Sequence, residues 1–91
     1  MAEPVEPFKV KATTNPSALA GFVAKSIQEG KSNIELSAIG ASAVNQMVKG
    51  CAIARKYCGP HGYDLAIVPC FRDIMVGEFQ RTAVVVIIKL L

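Results

Sequence analysis

Between Ile39 and Tyr57 the chain reads as the end of a strand, a tight turn at Gly40 and one long helix. At roughly 100° per residue, Ser42, Asn45, Gln46, Lys49 and Lys56 fall within about one quadrant of that helix. Val44, Met47, Val48, Cys51 and Cys58 fill the opposite side. A helix so divided must bury its apolar face against another layer, and it presents amides, a hydroxyl and two lysines on the other face. No carboxylate lies between Ser37 and Tyr63. Such a stripe suits an anionic partner better than it suits catalysis.

The flanking segments supply the other layer. Phe8 to Ala12 alternates, with Phe8, Val10 and Ala12 on one side and Lys9 and Lys11 on the other, which predicts a half-buried strand. Asn15 and Pro16 then announce a helix, as a side-chain cap followed by a proline preset for the first turn. Its expected buried stripe is Leu19, Ala20, Phe22, Val23 and Ile27, and Gly30 is its left-handed stop. Asn33 to Ile39 is a second strand, with Ile34, Leu36 and Ala38 inward and Glu35 and Ser37 outward. The breaker cluster Cys58-Gly59-Pro60-His61-Gly62 ends the long helix. Tyr63 to Ile74 is extended, with Pro69 expected to break its hydrogen-bond ladder. Gly77 is the expected hairpin turn, and Arg81 to Leu90 is the last strand.

The fold class that follows is two-layer α/β (α+β), in the order β-α-β-α-β-β. A four-stranded mixed sheet carries two helices on one face. Residues 8–91 form a single domain behind a flexible lead at 1–7. Val84 to Ile88 is apolar on both sides of its strand, and two helices can cover only one face of a sheet. The other face is expected to meet a second copy, giving a homodimer.

Composition narrows the function classes. Ten Lys and Arg against seven Asp and Glu give +3, enough to permit an acidic partner without demanding one. The lead has two glutamates and no apolar core, unlike a secretory signal, and the longest apolar run, Ala83 to Ile88, is too short to span a membrane. A soluble, cytoplasmic protein is expected. Three cysteines at unpatterned spacings are expected to be reduced, with Cys51 and Cys58 acting as small core hydrophobes. Cys58 and His61 make half a zinc site with no second ligand pair, so neither a metal nor another cofactor is expected. His61 is the only histidine, and no nucleophile, acid–base pair, phosphate loop or dinucleotide fingerprint is discernible. The chain is not expected to be an enzyme.

From about Lys9 to Lys89 the chain resembles the stage V sporulation protein S family of small bacterial proteins. The resemblance is carried by Pro16-Ser17-Ala18-Leu19-Ala20-Gly21, Ala38-Ile39-Gly40-Ala41, Val44-Asn45-Gln46 with Val48-Lys49, and Ala52-Ile53-Ala54-Arg55. Asp64-Leu65, Pro69 with Phe71, Asp73-Ile74 and Arg81-Thr82-Ala83 complete it. It implies a fold similar to the Alba chromatin proteins and to the C-terminal domain of translation initiation factor three. It also implies dimers, nucleic-acid binding and a role in regulating spore development. Gln80 and Ser42 depart from residues common in the family. The Ile39-to-Ser42 turn lacks the basic residues that Alba proteins carry there, and Gln46 stands where an Alba lysine would.

The candidate nucleic-acid contacts are Lys9, Lys11, Asn45, Gln46, Lys49, Lys56, Arg72 and Arg81. Lys49 and Lys56 would meet phosphates while Asn45 and Gln46 bond sugar or base edges; a plain solvated helix face is the competing reading. For Lys9 and Lys11, edge protection of an outer strand is the first reading and nucleic-acid contact the second. Arg72 and Arg81 flank the hairpin, which in Alba-like folds reaches out as an arm. Arg55 projects on the apolar side and is expected to be buried with a carboxylate, Asp64 or Asp73. Two functions follow. One is DNA or RNA binding through backbone phosphates with little specificity. The other is a protein-interaction or assembly module with no nucleic-acid contact.

Overall fold

Asn15 opens the first helix by accepting hydrogen bonds from the backbone N–H of Ser17 at 2.8 Å and Ala18 at 3.2 Å. The computed structural model describes residues 7–31 and 33–91, so the expected lead at 1–7 lies, Pro7 apart, outside the described residues. The elements are β1 (Phe8–Val10), α1 (Pro16–Gln28), β2 (Ile34–Ala38), α2 (Ala41–Cys58), a 3-10 turn at Gly59–His61, β3 (Leu65–Val76) and β4 (Phe79–Leu90). The sheet order is β1-β2-β4-β3, with β1 and β2 parallel and the other pairs antiparallel. This is the predicted α+β arrangement, and the molecule is 18 Å across in its thinnest direction.

The core lies between the helices and one sheet face. Leu36, Ala38, Val86 and Ile88 come from the sheet; Leu19, Val23, Met47, Cys51 and Ala54 come from the helices. At Gly50 the two helices approach so closely that an added Cβ would lie 2.6 Å from Leu19 Cδ2 and 3.2 Å from Leu19 Cβ. That approach requires glycine in the middle of a helix, against its poor propensity there.

Several expectations are corrected. β1 stops at Val10, because Lys11 and Thr14 close a turn: Thr14 N–H donates to Lys11 O at 3.0 Å, and Lys11 N–H donates to Thr14 Oγ1 at 2.8 Å. Ala12 is exposed as a result. Phe22 leaves the core and packs its ring on Phe8, centroids 4.7 Å apart, at the outer margin of α1. Pro69 breaks nothing. β3 and β4 stay in one register from Leu65↔Leu90 to Val76↔Phe79, and β3 is an edge strand, where a missing N–H leaves a ladder intact. Ser37 points away from the helices but is buried, at 7% exposure.

The row Val84 to Ile88 also behaves differently from expectation. Val86 and Ile88 enter the helix-side core. On the opposite face Ala83 and Val85 are fully buried within one chain, and Lys9, Ser37, Arg72, Ile74 and Met75 line the hollow beside Val85. The premise of a bare β-branched row awaiting a second copy therefore fails. Phe71, Met75, Val76 and Phe79, on β3 and at the start of β4, are among the exposed large apolar side chains, with others on the helices and at Leu90 and Leu91.

β2 ends where Ala38 pairs Val84, so residues 72–76 of β3 and 79–83 of β4 run on as a two-stranded arm. Gly77, with φ of +63°, makes its turn. No helix among the described residues is long and apolar enough to cross a membrane.

Candidate nucleic-acid interface

α2 presents the candidate stripe. It begins at Gly40, whose φ of +90° favours glycine and which brings no side-chain cap, and its last turn carries Arg55 and Lys56, matching the negative end of the helix dipole. Ala43, Met47, Gly50, Cys51, Ala54 and Cys58 face inward. Ser42, Asn45, Lys49, Ala52 and Lys56 are exposed on the outer side. Lys49 and Lys56 stand about 10 Å apart along the axis at 1.5 Å rise per residue.

Two residues of the predicted wheel change roles. Val48, expected in the core, is 47% exposed. Ala43, Gly50 and Ala54 let α1 approach closely, and this draws the buried face toward the small residues and away from Val48. Gln46, expected on the contact stripe, is half-buried and donates through Nε2 to Thr14 O at 3.0 Å. It ties α2 to the Lys11–Thr14 turn instead of meeting a ligand with its amide nitrogen.

The arginines are engaged by acids. Arg55 is not buried: its side chain is 60% exposed on the flank of α2. Its carboxylate is Asp64, bound through Nε at 2.8 Å and Nη2 at 3.1 Å. Asp64 also accepts from Leu65 N–H at 2.8 Å. The Arg55 guanidinium, and then the Leu65 amide, hold the Asp64 carboxyl below its usual range, and Asp64 in turn raises Arg55. Arg72 Nη1 pairs with Glu35 Oε1 at 2.8 Å across the sheet, and Asp73 accepts from Thr82 Oγ1 at 2.9 Å. By contrast, Lys9, Lys11, Lys49, Lys56 and Arg81 make no ion pair among the described residues.

The eight candidates do not form one surface. Asn45, Lys49 and Lys56 share the outer side of α2. The ladder register places Lys9, Arg72 and Arg81 with Ser37, Ala83 and Val85 on the sheet face away from the helices. Lys11 sits in the turn that Gln46 anchors. At the far end of the helix stripe a shallow cleft of about 490 Å³ is lined by Ala52, Arg55, Lys56, Gly59, Tyr63 and Asp64. The sequence predicts a strand from Tyr63, whereas β3 begins at Leu65. No periodicity could place the half-exposed Tyr63 ring beside Lys56.

Burial raises the thiols on the inner side of α2. Cys51 is pushed up to about 11, and Cys58 is raised by burial and then by the Asp64 charge. Both therefore stay protonated near neutrality, as core hydrophobes should.

The model of the family described as stage V sporulation protein S (SpoVS) matches residues 6–90, and the chain belongs to that family. The membership supports a sporulation-related role.

Proposed function

We propose that this SpoVS-family protein binds DNA or RNA through backbone phosphates along the outer side of α2. The observation that supports the reading is the stripe itself: Ser42, Asn45, Lys49 and Lys56 are exposed, and neither lysine pairs with an acid among the described residues. Each ammonium would neutralise a phosphate and release condensed counterions, while Asn45 and Ser42 bond sugar or phosphate oxygens. Because these contacts recognise the backbone, binding has little sequence specificity. On this reading the protein acts in the cytoplasm on the nucleic acid of a spore-development programme.

The active form we propose is a homodimer. Its support is the apolar surface on β3 and the arm, where Phe71 is 80% and Phe79 73% exposed. Light scattering should give twice the chain mass, and Phe71→Asp should return it to the monomer. A monomeric parent would end the dimer reading.

Fluorescence anisotropy with labelled DNA and RNA at two salt concentrations tests the contact surface. Log affinity should fall with log salt by roughly 0.9 for each duplex phosphate contacted. The Lys49→Ala/Lys56→Ala variant should bind more weakly with a shallower slope. Absence of binding at micromolar protein, or binding insensitive to both salt and the substitutions, would favour the interaction module.

A further inference from the structure

The shallow cleft of about 490 Å³ beside the last turn of α2 has a size within the usual range for small-ligand sites. Tyr63 lines it and is 43% exposed. No other aromatic ring packs on Tyr63 among the described residues; the aromatic pair there is Phe8 with Phe22. Ala52 and Gly59 also line the cleft, and neither carries a side chain longer than a methyl group. An added Cβ at Gly59 would meet no atom within 4 Å, so the space there is open. Lys56 belongs to two features at once: it lines the cleft and it ends the outer stripe of α2.

Electrostatics decide what the cleft holds. Asp64 lines it, and the last turn of α2 is the negative end of the helix dipole. Both disfavour a phosphate inside. Arg55 does not reverse this, because Asp64 already binds it through Nε and Nη2. A flat, uncharged ring is suited instead, since an open tyrosine ring stacks on any nucleobase. A duplex keeps its bases stacked on one another and has none to offer except at its ends. A single strand does. Its phosphate would sit at Lys56, whose ammonium makes no ion pair among the described residues, while the adjoining base turns into the cleft.

We propose that the Tyr63 cleft takes an unpaired base of a single strand whose phosphates lie along Lys49 and Lys56, so that the protein binds single-stranded DNA or RNA more tightly than duplex. This rests on the contact surface proposed for α2 and names the form of nucleic acid that suits it. Stacking reads the π-face of a base and not its edge, so the preference is for unpaired strands and not for a sequence.

The chain has no tryptophan, so Tyr63→Trp places a single indole in the cleft of the full-length protein. A thymidine strand should quench its fluorescence saturably, and an abasic strand of the same length should not. Anisotropy at two salt concentrations supplies the second readout. Tyr63→Leu should weaken the thymidine strand about tenfold and leave its salt slope unchanged, since a stacked base is lost and the phosphates are kept. Tyr63→Phe should keep the parent's affinity. On a long duplex, where ends are few, Tyr63→Leu should change affinity by less than about twofold. The proposal is overturned if the thymidine strand binds without quenching, if the abasic strand quenches equally, or if Tyr63→Leu weakens strand and duplex alike or neither. Any of those results, with binding still weakened in Lys49→Ala/Lys56→Ala, leaves the α2 contact surface standing. Absence of all nucleic-acid binding ends both.

Discussion

The outer side of α2 and the bare side of the sheet both carry cations, but they differ in what lies beside them. On α2 the neighbours of Lys49 and Lys56 are Asn45, Ala52 and Ser42, and the charges face solvent. On the sheet, Arg72 is held by Glu35 at 2.8 Å. Those two residues are 37 positions apart in the chain, so their neutrality arises from the ladder and not from any local run of sequence. Counting cations therefore overstates a binding surface. The useful quantity is the number of candidate cations left without a carboxylate among the described residues once strands have been paired: two on each side, Lys49 and Lys56 against Lys9 and Arg81, and α2 differs in carrying both of its pair on one helix face.

The strongest way to break this comparison is to unseat α2. Gly50→Val places a branched side chain where Leu19 Cγ already stands 2.9 Å from the missing Cβ. Overpacking of this kind costs on the order of 1–3 kcal/mol. The urea midpoint should fall accordingly, and nucleic-acid binding should fall with the folded fraction. An unchanged midpoint would mean that α1 and α2 have room the structure does not show. A smaller effect sharpens the contrast directly. Lys49→Ala/Lys56→Ala should reduce the salt slope on duplex DNA by roughly 1.8, at 0.9 per phosphate. Arg72→Ala should change affinity less than twofold, since its charge is already matched. Equal losses from the two variants would place the contacts on both sides of the slab.

How far the sequence anticipated this molecule follows from the range of the interactions involved. Asn15, Pro16 and Gly30 act within one helical turn of themselves, so their roles were legible, as was the element order. The α2 stripe was legible for Asn45, Lys49 and Lys56, whose placement needs only the helical period. Val48 and Arg55 were misplaced because an apolar tally ignores how Ala43, Gly50 and Ala54 draw a neighbouring helix toward themselves. Gln46 was misread because its partner, Thr14 O, is a backbone group 32 residues away. The cleft beside Tyr63 was invisible, since it exists only where the turn after α2 brings Tyr63 back beside Lys56.

Gln46 offers a test of intermediate size. Gln46→Ala removes the bond to Thr14 O and should cost about 1 kcal/mol of stability. The salt slope should stay unchanged, because the side chain serves the fold. A shallower slope with unchanged stability would return Gln46 to the contact surface.

The smallest effect concerns Arg55, which lies on the flank of the stripe and is neutralised by Asp64. The Asp64 carboxyl is depressed in the folded state, so its contribution to stability is present above its unfolded pKa, about 3.9, and is lost as pH falls through the folded value. Both side chains are solvent-exposed, so the loss is slight, and it belongs to the window below about pH 4. Between pH 6 and pH 3, Asp64→Asn should lose less stability than the parent, read as the shift in urea midpoint. At pH 7 the same variant still accepts the Leu65 amide through its side-chain oxygen, but it releases Arg55 beside Lys56. The α2 surface would then hold a third unmatched cation. Nucleic-acid binding should strengthen by less than about threefold, with a salt slope steeper by up to roughly 0.9. If freeing Arg55 leaves both quantities where they were, phosphates do not run past the C-terminal end of α2, and the contact surface ends nearer Lys49.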